Sequence, residues 1–212
     1  MKEISLLYYI QKDLAAAIEK DEFLLYYQPI IDTITKRITG VEALIRWKHP
    51  IVGIISPLKF IPFAEETRLI IPIGYWVIRT ACSQLREWNK LGFTNISLSV
   101  NVSIIQLQHP GFAEAVSRIL SKTKIHPEYL ELEITESILL ESLDVIKNLN
   151  NLKKLGVKIT IDDFGTGYNS FKCIQELNVN NIKIDKAFIY NINDEVNKAI
   201  IDAIIKLGHD IN

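Results

Sequence analysis

Short apolar runs punctuated by polar residues alternate along this chain with longer stretches in which apolar positions return every three or four residues. This is the signature of strands interleaved with helices. Met1 to Lys20 sets Glu3, Lys12, Asp13 and Glu19 among apolar residues at helical spacing, and reads as an amphipathic entry helix rather than a signal peptide, ahead of one domain over residues 21–212. Strands are predicted at Phe23 to Ile31 and Arg37 to Arg46. The polar residues between them, around Asp32 to Lys36, are too few for a parallel crossover, so this first pair should be antiparallel. Ser56-Pro57 opens a short helix to Glu66, and a longer helix runs from about Ile73 to Leu91, stopped by Gly92. The rhythm continues with a strand at Ile96 to Val102, a helix at Phe112 to Lys122, a strand at Leu130 to Thr135 and a helix at Leu143 to Leu155 closed by Gly156. A strand at Val157 to Ile161, a helical stretch at Asn169 to Leu177, a strand at Asn181 to Ile184 and a last helix at about Glu195 to His209 complete it. Strands that read as continuously apolar, as at Val157, Ile159 and Ile161, imply a mainly parallel sheet covered by helices. The expected fold is α/β, a TIM-like (β/α) barrel with an antiparallel first strand; a closed one has eight strands over about 250 residues, whereas only some six are found here.

With 212 residues, 48% of them hydrophobic and 23% charged, the chain can bury a core without disulfides. Cys82 and Cys173 sit in helical apolar context without metal-ligand spacing and read as reduced core residues, which suits the cytoplasm. A net charge of −1 with no basic block argues against a nucleic-acid polymer as partner but leaves a small phosphorylated ligand open. The longest apolar run, Leu69 to Ile78, contains Pro72 and falls short of the ~20 residues that span a bilayer. His49, His109, His126 and His209 are scattered, and Trp47, Trp76 and Trp88 read as packing residues.

The chemistry lies at the strand ends: Glu42, Asn101, Glu133 with Glu136, Asp162 with Asp163, and Lys183 with Asp185. Any one of these is ordinarily a solvated charge or a helix cap. A parallel barrel, however, gathers its strand ends into one mouth. Two carboxylates at ~4 Å and an effective dielectric of ~20 repel by about 4 kcal/mol, so such a cluster requires cations or retained protons. Oxygen ligands of this kind suit magnesium or manganese, and an adjacent Asp pair can bridge two ions. Two such ions form an apparatus for phosphodiester hydrolysis, in which Lys183 can orient the attacking water or stabilise developing charge.

At these residues the chain resembles the EAL domains, phosphodiesterases specific for cyclic-di-GMP. The resemblance rests on Gly40-Val-Glu-Ala-Leu-Ile-Arg-Trp-Lys-His-Pro50, Tyr27-Gln28-Pro29, Phe60-Ile61 through Ala64-Glu65-Glu66, and Val100-Asn101-Val102-Ser103. Glu131-Leu-Glu-Ile-Thr-Glu136, Asp162-Asp163-Phe164-Gly165-Thr166-Gly167 and Lys183-Ile184-Asp185 follow in the same order and spacing, so the likeness runs from about Leu14 onward. It implies hydrolysis of cyclic-di-GMP to the linear dinucleotide pGpG with two divalent ions, Mg2+ or Mn2+. It further implies that Glu42, Asn101, Glu133 and Asp162 are metal ligands, that Asp162 and Asp163 serve the second ion, and that Lys183 contacts the attacking water. Glu136 resembles the glutamate that steadies the loop from Asp162 to Tyr168. Arg46 is the implied phosphate contact, with Gln28 and Leu44 on the substrate's base or ribose; the planar fork of arginine suits a phosphate.

The family pattern continues beyond the last helix with two further strands, carrying Ala-Glu-Gly-Val-Glu and a Gln-Gly pair, that have no counterpart here. Arg68 stands where the family has glycine. The second metal site is therefore expected to be incomplete, and the first and sixth strands to be unpaired edges. The missing strands expose the inner faces of the barrel, and each core Val, Ile or Leu uncovered forfeits roughly 1.5–3 kcal/mol, which predicts a homodimer or a complementing chain over the gap. The rival expectations are a catalytically impaired EAL domain acting as a cyclic-di-GMP receptor or docking module, and a fragment of a longer protein.

Overall fold

The computed structural model describes residues 2–135, 142–165, 174 and 179–210. Glu136, Cys173 and almost all of the expected helix at 169–177 lie outside them. Helix α1 (Lys2–Asp13) passes through a 3₁₀ turn at Leu14–Ala16 and buries Ile10, Leu14 and Ala17. It is fastened to the sheet by polar contacts. His49 Nε2 lies 3.2 Å from Asp13 Oδ2, while His49 Nδ1 accepts the backbone N–H groups of Ile51 and Val52, so the ring proton sits on Nε2. Trp47, fully buried, donates its indole N–H to Glu22 at 2.9 Å.

Strands β1 (Phe23–Ile31) and β2 (Ile38–His49) pair antiparallel, as their short connection requires, with Phe23 opposite Trp47 and Gln28 opposite Glu42. Gly40 lets β2 and β4 approach closely: a Cβ there would lie 2.3 Å from Ser97 Oγ and force that hydroxyl to move. β2 outruns its expected end because a hairpin returns it into β3 (Gly53–Ile55), a strand too short to show a period. Helices α2 (Pro57–Glu66) and α3 (Ile70–Lys90) follow. Helix α3 starts three residues before its predicted onset, because Pro72 falls in the first turn, where its missing N–H is no loss.

The described remainder is β4 (Ser97–Asn101), α4 (Ile104–Gln108), α5 (Phe112–Thr123), β5 (Leu130–Thr135), α6 (Leu143–Leu155), β6 (Lys158–Phe164), β7 (Asn181–Ile184), α7 (Lys186–Tyr190) and α8 (Glu195–Asp210). The five-residue helices α4 and α7 are too short to carry a readable period. The sheet runs β1-β2-β4-β5-β6-β7, with β3 attached to β2 and every pair from β2 to β7 parallel. β2 and β7 are four strand steps apart, about 19 Å in a flat sheet, yet side chains from the two strands touch, with Lys183 Nζ 3.1 Å from Glu42 Oε2. The sheet is therefore strongly curled, in the manner of a TIM-like barrel, although it is not closed: β1 and β7 are its ends among the described residues.

The strands are not continuously apolar as expected. Leu98, Val100, Leu132, Ile134, Ile159 and Ile161 are buried towards the helices, whereas the alternate positions Ser99, Asn101, Glu131, Glu133, Thr160 and Asp162 face the inside of the curl. The inner wall of the open barrel is thus largely polar. Its exposure does not forfeit the apolar burial that an oily interior would, and the expected instability of the open sheet loses that cause.

Helices α4 to α6 are joined by one side chain. Buried Asn148 accepts the N–H of Ala113 at 3.3 Å and donates to the carbonyls of Leu107 at 2.8 Å and His109 at 3.2 Å, fixing the segment that follows Asn101. Asn148→Ala strands these backbone groups in the interior and is expected to destabilise the domain by about 2–4 kcal/mol in urea unfolding, with an unchanged m-value.

Candidate active site

Alternation along β2 puts Glu42, Leu44 and Arg46 on the inner face, the first near the point where parallel pairing with β4 ends at Ala43–Val100. Asn101 and Glu133 are register partners at the ends of β4 and β5, and Asp162 is paired with Thr135 near the end of β6. Lys183 reaches in from β7. Five side chains from five strands thus meet at the carboxyl ends of a parallel sheet, the usual position for chemistry in such architectures.

Lys183 is the hub. Its Nζ lies 2.8 Å from Glu133 Oε2, 3.1 Å from Glu42 Oε2 and 3.5 Å from Asp162 Oδ1. Asn101 donates its amide to Glu42 Oε1 at 2.9 Å, which fixes the orientation of both side chains. Glu133 is 1% exposed, and burial pushes its carboxyl up to about 7 against the opposing pull of the Lys183 ammonium. For Lys183 burial acts downwards, but the hydrogen bond to Glu133 and the charges of Glu133, Asp162 and Glu42 outweigh it and hold the ammonium above its ordinary value. The hub is a permanent cation.

Asp163 follows Asp162 into a β-bulge. The β6–β7 register breaks between Ile161 and Phe164, and Asp163 takes a left-handed φ of 52°. Its carboxyl is raised, first by partial burial, then by the charge of Asp162 and a hydrogen bond to Asp185. Asp163 is thus tied electrostatically to Asp162, Asp185 and Lys183, and Asp185 also caps α7 by accepting the N–H of Ala187 at 2.6 Å. Gln28 is exposed on β1 opposite Glu42. Leu44 lines a cavity of about 500 Å³ with Pro57, Ile61, Glu65, Ile73 and Asn101. Arg46 sits with its guanidinium 5.3 Å from the centre of the Tyr26 ring and donates to the Ile45 carbonyl at 2.8 Å. Glu136 lies outside the described residues.

Glu42, Asn101, Glu133 and Asp162 offer only oxygen ligands, the chemistry of hard divalent ions. Glu133 Oε1 is buried and has no hydrogen-bond partner among the described residues, an orphaned acceptor that a cation would satisfy. The donor set fits a metal. Among the described residues no three His, Cys, Asp or Glu side chains are placed to hold a metal ion as they stand; Glu42, Glu133 and Asp162 are each turned to the Lys183 ammonium. Glu131 lies on this inner face too, as do Thr160 and Asn181 below Lys183, and sequence reasoning gave them no role. Their signal was the polar residue at every second position of Leu130–Thr135 and Lys158–Asp162.

The raised Glu133 carboxyl makes stability depend on pH. A carboxyl at about 7 in the folded protein and 4.5 in the unfolded one favours folding fully below about 4.5, and this contribution is lost as pH rises through about 7. Metal-free Glu133→Gln should therefore gain on the parent as pH rises, melting roughly 3–6 °C higher at about pH 8 with little difference at about pH 4. Thermal melts at both pH values check this, and a parent that melts higher than the variant at the alkaline pH would contradict it.

The model of the family described as "EAL domain" matches residues 11–212. In Pseudomonas aeruginosa the chain is 40% identical over 202 residues to the bifunctional diguanylate cyclase/cyclic di-GMP phosphodiesterase MucR, covering 94% of this chain and 30% of that protein. It is 38% identical over 205 residues to the cyclic di-GMP phosphodiesterase PA2567 of the same organism, covering 93% of this chain and 35% of that one. The chain thus spans about a third of the length of these relatives. Among solved structures, the PaMucR phosphodiesterase in complex with c-di-GMP superposes with a TM-score of 0.89 at 40% identity, covering 96% of this chain and 83% of that one. The FimX EAL domain from Pseudomonas aeruginosa bound to c-di-GMP gives 0.84 at 27% identity, covering 95% and 81%. With its lysine-centred carboxylates at the mouth of a curled parallel sheet and a family match over nearly its whole length, this chain belongs to the EAL domain family.

Proposed function

We propose that this domain hydrolyses cyclic-di-GMP to linear pGpG by metal-dependent phosphodiester cleavage. The observation that carries the reading is the convergence of Glu42, Glu133 and Asp162 on Lys183 Nζ at the carboxyl ends of the strands. The likeness to phosphodiesterases of the family, which are metal-dependent, supports it. Glu42, Asn101, Glu133 and Asp162 would hold Mg2+ or Mn2+, with Asp162 and Asp163 serving a second ion; such ions supply Lewis acidity towards the phosphoryl oxygens and the attacking water. Lys183 keeps a fixed positive charge at the same point and can donate to that water or to developing phosphoryl charge. Arg46 offers a planar fork to a phosphate, Leu44 an apolar wall to a base, and Gln28 an amide to a base or ribose. Water oxygen bonds to phosphorus, the bond to the 3′ oxygen breaks, and the proton lost by the water balances the one gained by the 3′ hydroxyl.

Reduced Cys82, buried in α3, suits a cytoplasmic setting, and no helix among the described residues is long and apolar enough to cross a membrane. A second copy or a complementing chain over the open side of the barrel would cover the exposed Ile30 and Ile31 of β1 and Tyr190 of α7. A second reading, a receptor that binds cyclic-di-GMP without turnover, draws on the likeness to the FimX EAL domain, solved with c-di-GMP bound. The purified chain with cyclic-di-GMP and Mn2+ or Mg2+ is expected to release pGpG, and Glu42→Ala to lower kcat/KM by roughly 100-fold. Binding in Ca2+ without turnover in Mn2+ or Mg2+ would establish the receptor, and neither binding nor turnover would overturn both readings.

A further inference from the structure

Lys183 reaches the carboxylates from the strand least able to hold it. β7 has four residues, lies at an end of the described sheet, and has a ladder on one side only. That ladder is itself interrupted. Thr160 pairs with Asn181 and Ile161 with Ile182, after which the bulge at Asp162–Asp163 moves the next pair to Phe164 and Ile184, leaving Lys183 without a register partner. Side chains alternate along a strand, so a slip of one residue would swing Lys183 to the helix side and bring an isoleucine among the carboxylates. The sequence offers one: Ile182 and Ile184 flank Lys183.

Two asparagines just before Lys183 oppose that slip. The N–H of Asn180 donates to the carbonyl of Ile159 at 2.8 Å, and its side-chain Oδ1 accepts the N–H of Ile159 at 2.9 Å. The N–H and C=O of a residue leave an extended strand on the same side, so Asn180 takes both groups that Ile159 presents to β7. Asn181 Nδ2 donates to Glu131 Oε1 at 2.9 Å, and Thr160 Oγ1 donates to the same oxygen. These contacts join β5, β6 and β7 below the hub, and they depend on where an amide oxygen or nitrogen sits and not on apolar burial.

We propose that Asn180, assisted by the Asn181–Glu131 bond, is a register lock for β7 and that these are positioning residues acting through Lys183. The kinetic consequence rests on the phosphodiesterase reading, while the structural one does not. The test pairs hydrogen exchange of the β7 amides with cyclic-di-GMP hydrolysis in Asn180→Ala, Asn180→Asp, Asn181→Ala, Glu131→Ala and the Asn181→Ala/Glu131→Ala double variant. Asn180→Ala is expected to speed β7 exchange about five- to tenfold, the loss of one net hydrogen bond, and to lower kcat with KM within about twofold. Asn180→Asp keeps the accepting oxygen and should restore both quantities. The Asn181/Glu131 double variant should be no worse than its poorer single variant, as expected for two ends of one bond. Unchanged β7 exchange in Asn180→Ala, or equal impairment in Asn180→Asp, overturns the lock. A parent chain that does not hydrolyse cyclic-di-GMP overturns the phosphodiesterase reading and leaves the exchange comparison to decide the lock.

Discussion

One ammonium organises this domain. Three carboxylates from β2, β5 and β6 would repel one another by several kcal/mol at a few ångströms, and they come together because Lys183 brings a charge of opposite sign into their midst. That arrangement is a geometric statement about the whole sheet. Neither the lysine stem nor the glutamate stem can cross the distance between β2 and β7 in a flat sheet, so the contact exists only because four strand pairs curl in the same direction. Helices α2 to α6 pack on the convex side, and their burial of Leu98, Leu132 and Ile161 offsets the electrostatic cost of the concave one.

The division of labour between faces explains what was legible in the sequence. Element identity was readable wherever a run was long or carried its own punctuation: Phe23–Ile31, Leu143–Leu155 with Gly156, and Asn181–Ile184 lie where their patterns put them. The antiparallel first pair followed from the length of a loop. The short pieces β3, α4 and α7 were not legible, since three to five residues cannot show a period and their stability comes from a hairpin or a cap. The polar alternation of Leu130–Thr135 and Lys158–Asp162 is present in the sequence, but Val157, Ile159 and Ile161 taken by themselves have the pattern of a strand buried on both faces.

The site was legible to a similar depth. Strand-end position identified Glu42, Asn101, Glu133, Asp162 and Lys183, because a parallel barrel converts position along each strand into convergence in space. The order of contacts was not. That Lys183 touches three carboxylates at once, that Asp163 sits at a bulge, and that Arg46 leans on Tyr26 all depend on side-chain geometry beyond any residue-type pattern. The roles of Asn180 and Asn181 are illegible for a related reason: an asparagine at the start of a strand has the pattern of a turn residue until the groups it bonds are known.

A central lysine has a consequence for how ions enter. The ammonium offsets one of the three negative charges that Glu42, Glu133 and Asp162 carry when all are ionised, so under the proposed function a cation would compete with it for a cluster that is still net negative. Competition favours ions of higher charge density, because a divalent cation between two carboxylates gains about twice the Coulomb energy of a monovalent one at equal distance. The same lysine therefore holds the three carboxylates together, and under the proposed function an entering divalent ion would have to displace it.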